Sequence, residues 1–223
     1  MLISYKELLQ SLGKTLKLFL DNDILLKLGS LGFLNELANI FDTNSSSIFI
    51  LPTAFHYIKN NKKLRVKYSE ENLQNILTII KNYFVIPDYY IDDDRFTALA
   101  DIERIDSGER VLFALNPPDK DFLILTGDKK SLEQLSIHLG DNKIIDDLNG
   151  KIVCLEYVIS KLLKLKGFDI VTNKMKETNF AGDTGMKLIF NQQSLTLEKL
   201  NEGLISFFNE IKSKTKNLLC LLE

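Results

Sequence analysis

The chain has 223 residues, 28 Lys+Arg against 30 Asp+Glu, a formal net charge of −2, and 45% hydrophobic against 26% charged residues. That is enough length for one large domain and the composition of an ordinary globular protein, with no global basic field of the kind that announces a nucleic-acid partner. Cys154 and Cys220 lie too far apart for metal-ligand spacing, no apolar run approaches a membrane span, and the first residues lack the layout of a signal peptide. The expectation is a cytoplasmic protein with reduced thiols and no membrane partner.

Tyr5, Leu8, Leu9 and Leu12 predict a short leading helix over 1–13, stopped at Gly13. A strand over Thr15 to Leu20 then runs into KLFLDNDILL, where an apolar run meets Asp21 and Asp23 before a second apolar run. A helix from about Asp23 to Phe41 follows, with Gly29 and Gly32 marking a bend or break. Ile48 to Leu51 reads as a second strand, and Pro52 suits the first turn of a helix ending near Asn60. Lys59, Lys62, Lys63, Arg65 and Lys67 make a local basic run, either a solvated face or a phosphate-contacting patch. Ser69 caps a helix with Leu73, Ile76, Leu77 and Ile80 on its apolar face, and Tyr83 to Ile86 is extended.

Asp92 to Asp94 open a short helix, and Asp106-Ser107-Gly108-Glu109 opens another that reaches Leu115. Asn116-Pro117-Pro118-Asp119 is a turn. Phe122 to Leu125 is the clearest strand: short, apolar, and ending in Thr126-Gly127-Asp128. A helix over Lys130 to His138 is closed by Gly140. Further strands are expected at Lys143 to Ile145, Ile152 to Leu155, Phe168 to Thr172 and Leu188 to Phe190. A helix is expected over Glu156 to Lys166, a loop over Lys174 to Gly185, and a long helix over Leu197 to Leu219. The last carries Leu200, Leu204, Phe207, Phe208 and Ile211 on one face. Strands alternating with helices predict an α/β fold with a mostly parallel sheet and a C-terminal α-rich extension.

The acids at element ends define the candidate site. Asp21 and Asp23 follow the first strand, Asp106 and Glu109 open a helix, and Asp128 follows the strand Phe122 to Leu125. Parallel strands share a C-terminal edge, so Asp21 and Asp128 meet there if their strands are neighbours. Converging carboxylates repel one another, and a divalent cation relieves that cost; all-oxygen donors select Mg²⁺ or Mn²⁺. The same residues also suit helix caps: Asp106 and Glu109 have capping-box spacing, and Asp21 and Asp128 each precede a helix.

FLDNDILL, IDSGERVLFAL and FLILTGDKKSLEQL, in this order, resemble the PIN-domain family. The resemblance covers about residues 15–155, with a helical insertion at about 60–100, and leaves 156–223 as an extension packed on or beside the core. It implies a three-layer α/β/α sandwich with a mostly parallel central sheet. It also implies a Mg²⁺- or Mn²⁺-dependent ribonuclease, with Asp21, Glu109 and Asp128 as catalytic and metal-holding acids, Asp23 and Asp106 as further metal-site acids, and Thr126 in support. Lys62, Lys63, Arg65 and Lys129 are the candidate RNA contacts. RNA is the implied partner, with a protein antitoxin or regulator beside it as in the toxin members of the family; a homo-oligomer is compatible with the sequence. One departure stands out: the helix after the second strand carries His56 where the family places an acid, and a neutral imidazole is a poor Mg²⁺ ligand.

Two other readings share these residues. Asp21-Asn22-Asp23 after an apolar strand looks like the D-x-D motif of haloacid-dehalogenase-type phosphatases, with Asp21 as nucleophile and Asp23 as acid/base, and LILTGDKK with Gly140, Asp141 and Asp146 faintly resembles that family's later motifs. Against it, Leu25 stands where a Thr or similar residue is expected. The third reading is a PIN-like module that binds RNA or protein without cutting.

Overall fold

The computed structural model describes residues 15–139 and 143–221. The leading helix expected over 1–13, and Gly140 and Asp141, lie outside the described residues. Five strands form one all-parallel sheet: β1 (Lys17–Leu20), β2 (Ile48–Ile50), β3 (Phe84–Val85), β4 (Phe122–Leu125) and β5 (Ile152–Val153), in the order β3-β2-β1-β4-β5. Parallel strands buried on both faces read as continuous apolar runs, and KLFL, IFI and FLIL do so. In register, Leu20 lies opposite Ile50 on one side and Leu125 on the other. Phe19 stacks on Phe49 at 5.0 Å and meets Phe122 edge-on at 5.7 Å, which ties the three central strands through one aromatic row.

Helix α1 (Asn22–Ser30) leaves β1; α2 (Leu37–Ile40) precedes β2; α3 (Ala54–Asn60), α4 (Leu64–Lys67) and α5 (Glu70–Ile80) connect β2 to β3. Then come α6 (Asp93–Ala98) and α7 (Ser107–Phe113), followed after β4 by α8 (Lys129–Leu139) and α9 (Lys143–Leu148). The chain moves outward from β1 to β2 and β3, then returns past β1 to β4 and β5. Right-handed crossovers place α1 and α5 on one face of such a sheet and α6 to α9 on the other. Contacts of α1 with α5, of α6 with α7 and of α8 with α9 agree with that arrangement. The result is an α/β/α sandwich with helical additions. Its point of reversal lies between β1 and β4, where open α/β sheets bind ligands outside the strand ends.

The expected helix over Asp23 to Phe41 breaks: α1 stops at Ser30, Gly32 takes φ +76, and a 3₁₀ turn (Leu34–Glu36) leads into α2. A side chain at Gly29 would run into Ile76 of α5, so this glycine serves the α1–α5 contact. Residues 60–100 supply α4, α5, α6 and also β3, which pairs with β2 as the sheet edge.

Three expected strands are helices. Lys143 to Ile145 begins α9, Phe168 to Thr172 lies in α11 (Phe168–Glu177), and Leu188 to Phe190 ends α12 (Thr184–Phe190). The expected loop over Lys174 to Gly185 holds the end of α11, a 3₁₀ turn (Asn179–Gly182) and the start of α12. A short apolar run does not by itself separate a strand from a buried helical face. Val171 with Met175, and Met186 with Ile189 and Phe190, are the buried positions, at helical spacing.

Helix α10 (Leu155–Lys166) follows β5, and the long helix α13 (Leu197–Lys214) ends earlier than Leu219. Beyond it, Leu219 makes a parallel bridge to Ile152 and so covers the β5 edge. Leu200, Leu204, Phe208 and Ile211 of α13 are buried in the same apolar core as β1 and β4. Residues 156–221 thus share one core with the sheet. No helix of the described residues is long and apolar enough to cross a membrane.

Candidate functional site

Asp21, Asn22, Asp23, Asp106, Glu109 and Asp128 line one cleft of about 410 Å³ at the C-terminal edge of the sheet. Asp21 follows β1, Asp128 follows β4, and the two strands are neighbours, as their meeting at this edge requires. The turn is pinned from within: the Asp21 amide donates to the Leu125 carbonyl at 3.0 Å. The Thr126 hydroxyl donates to Asp21 Oδ2 at 3.2 Å and accepts the Asp128 amide at 3.1 Å. Thr126 thus couples the two strand ends.

The acids differ in how they are held. Asp21 stands at the cap position of α1, yet its side chain makes no capping hydrogen bond. It is only 8% exposed, and burial, with the Asp23 charge beside it, pushes its carboxyl up to about 7 against the partial relief of the Asn22 amide and the Thr126 hydroxyl. Glu109, 6% exposed, is pushed up by burial to about 7, with Asp106 and Asp128 adding repulsion. Asp106 and Glu109 also form a complete capping box: Asp106 Oδ1 accepts the Glu109 amide and Glu109 Oε2 accepts the Asp106 amide, both at 2.9 Å. The cap and the cleft therefore use the same pair. Asp128 is exposed and caps α8 through Oδ1, which accepts the amides of Lys130 at 2.8 Å and Ser131 at 3.1 Å.

Asp23 is engaged elsewhere. Lys27, one turn along α1 and buried, places its ammonium 2.5 Å from Asp23 and 2.7 Å from Asp183. The two carboxylates hold the Lys27 ammonium well above the ordinary lysine value despite its burial, and the lysine holds Asp183 below the ordinary aspartate range. Gly127 is what lets this pair stand against the strand end, since a Cβ there would lie 2.1 Å from Asp23 Oδ2.

Among the expected RNA contacts, Lys62, Lys63 and Arg65 are exposed, with Arg65 paired to Glu70 at 3.2 Å. Lys129 is not on that face: it pairs with the fully buried Glu156 at 2.5 Å and lies 5.0 Å from the Phe207 ring. His56 is exposed on α3 and hydrogen-bonds Asn60, outside the cleft lining. The structure adds Lys67, Tyr57 and Tyr68 to the cleft, together with Lys27 and Asp183 behind it. Lys27 was readable as the i+4 partner of Asp23, whereas Asp183 had no local signal.

A hard divalent cation fits the chemistry here. The acids offer oxygen donors, two carboxyls are buried without a full countercharge, and Asn22 Oδ1 is buried on the cleft with no hydrogen-bond partner among the described residues. Among those residues, no group of three His, Cys, Asp or Glu side chains is drawn into a ready ligand cluster. The carboxylates ring the cleft and are anchored to its walls. No family model matches the chain, and neither a curated protein nor a solved structure matches it.

Proposed function

We propose that the chain is a divalent-metal-dependent nuclease acting on RNA, with its reaction in the carboxylate cleft. The observation that carries this reading is the placement of acids from three separate segments around one cleft at the sheet's reversal point, with Asp21 and Glu109 buried and short of positive charge. Asp21, Glu109 and Asp128 would hold Mg²⁺ or Mn²⁺, the three acids to which the PIN-domain resemblance points, whereas Asp23 is committed to Lys27. When bound, such an ion supplies a water of lowered pKa and charge stabilisation at the phosphorus oxygens. The chain's own contributions are positional. Thr126 keeps Asp21 directed by its hydroxyl, the capping box fixes Glu109, and the α8 amides fix Asp128. RNA as the substrate rests on the resemblance of the three motifs to PIN domains.

The phosphatase reading is weaker, because Asp23, its acid/base, is tied into the ion pair with Lys27. Incubation of labelled single-stranded RNA with Mn²⁺ tests the proposal. We expect cleavage to 5′-phosphate and 3′-hydroxyl ends, abolished in Asp21→Asn. Hydrolysis of a phosphomonoester with intact RNA would transfer the site to the phosphatase reading.

A further inference from the structure

The acids occupy only part of the cleft. Another wall comes from the stretch between β2 and α5, and it carries Tyr57, Lys67 and Tyr68. Lys67 is the last cation of the basic run, and its exposed side chain lines a cleft otherwise provided with carboxylates. Its ammonium lies 5.2 Å from the Tyr68 ring centroid. Its stem rests against Gly182, where a Cβ would come within 2.2 Å of Lys67 Cε. Gly182 has φ +67 and sits at the end of a left-handed run, Asn179, Phe180 and Ala181. A glycine at this place therefore satisfies the backbone and also leaves room for the lysine.

Tyr68 supplies an independent observation. The residue is 5% exposed, yet its hydroxyl has no hydrogen-bond partner among the described residues. A buried hydroxyl without a partner costs free energy, and such an atom beside a cleft marks a place where an acceptor is missing. Burial, with the Asp23 charge nearby, raises the Tyr68 phenol well above its ordinary value, so it remains a donor throughout the working range. Two donors, the exposed Lys67 ammonium and the enclosed Tyr68 phenol, thus sit on consecutive residues that line the same cleft.

We propose that Lys67 and the Tyr68 hydroxyl form a phosphate-oxygen subsite that positions the nucleic-acid strand against the acids. The subsite rests on the phosphodiester reading above and deepens it. Lys67 supplies charge to a non-bridging oxygen, and Tyr68 supplies a directed hydrogen bond. The extension contributes directly: Gly182 seats Lys67, and Asp183 holds the Lys27–Asp23 pair beside Tyr68.

The test is binding of a fluorescein-labelled single-stranded RNA, read by anisotropy over a KCl series without divalent ions. It uses an Asp21→Asn background, which lowers the charge repulsion and prevents cleavage. Lys67→Ala should weaken binding about tenfold and reduce the slope of log K against log salt by about 0.7, the contribution of one phosphate contact to a single strand. Lys67→Arg should keep that slope. Tyr68→Phe, which removes one oxygen and leaves the ring packed, should weaken binding about fivefold with the slope unchanged. Parent affinity and slope in both Lys67→Ala and Tyr68→Phe would overturn the subsite, as would failure of the parent to bind. Cleavage with Mn²⁺, scored separately in the Asp21 protein, keeps the two claims apart. A Lys67-dependent slope with no cleavage discards the nuclease and keeps the subsite, and cleavage indifferent to both variants does the reverse.

Discussion

The carboxylate floor of the cleft and its flank are held by different means. The floor is built locally: Asp106, Glu109 and Asp128 bond to amides within three residues, and Asp21 leans on Thr126 of the adjacent strand end. The flank is built from distant segments. Lys27 of α1 joins Asp23 to Asp183 of the extension, and Lys67 rests on Gly182. The floor therefore forms once the sheet edge forms, whereas the flank exists only when residues around 179–190 are docked. The extension also carries backbone cost there, with Asn179, Phe180 and Ala181 all in the left-handed region at roughly 1–2 kcal/mol each.

The largest effect that separates the two regions is expected at Lys27. Lys27→Met leaves Asp23 and Asp183 facing each other around a buried site, which should cost about 3–5 kcal/mol. Urea unfolding measures it. A loss below about 1 kcal/mol would mean that the pair behaves like a surface ion pair and that the extension is not anchored through it.

A pH effect of the opposite kind belongs to the floor. Asp21 and Glu109 move from ordinary values of 3.8 and 4.5 up to about 7, so the native state keeps protons that the unfolded chain has released. Their contribution to metal-free stability falls as pH rises from about 4 to about 7 and is flat above that. Asp183, held low by Lys27, contributes in the other direction, and its share is lost as pH falls through the acid range. The difference between wild type and Asp21→Asn isolates the first term: the variant should gain on wild type across pH 4–7. Parallel profiles would show that the Asp21 carboxyl is not held protonated by its surroundings.

The smallest effect distinguishes capping from metal holding at Asp128. Asp128→Ala should cost about 1 kcal/mol through the lost cap of α8, whereas Asp128→Asn should be close to neutral in stability, since Asn also caps. Both should weaken Mn²⁺ binding. Full Mn²⁺ affinity in Asp128→Asn would leave Asp128 a cap and nothing more.

How much of this was legible follows from the same division. KLFL and FLIL stood out because each apolar run ends at an acid, and their parallel pairing brought Asp21 and Asp128 to one edge. The Asp106–Glu109 spacing marked the capping box, and in the fold that pair also faces the cleft. Lys143 to Ile145, Phe168 to Thr172 and Leu188 to Phe190 misled because short apolar stretches carry too few residues to show a period, although Met186, Ile189 and Phe190 kept helical spacing. Lys129 read as an RNA contact, and its pairing with the buried Glu156, 27 residues on, has no local signal in the sequence. The flank was illegible for a related reason: the contacts of Lys27 with Asp183 and of Lys67 with Gly182 join residues that only the tertiary fold brings together.

The central claim is that the floor holds a divalent cation. Calorimetric titration of Mn²⁺ at pH 8, where Asp21 and Glu109 with values of about 7 are ionised, tests it most directly in wild type and Asp21→Asn. The account predicts saturable binding to wild type and its loss in Asp21→Asn with the fold retained. Absence of binding to wild type, or equal affinity in both proteins, would contradict it.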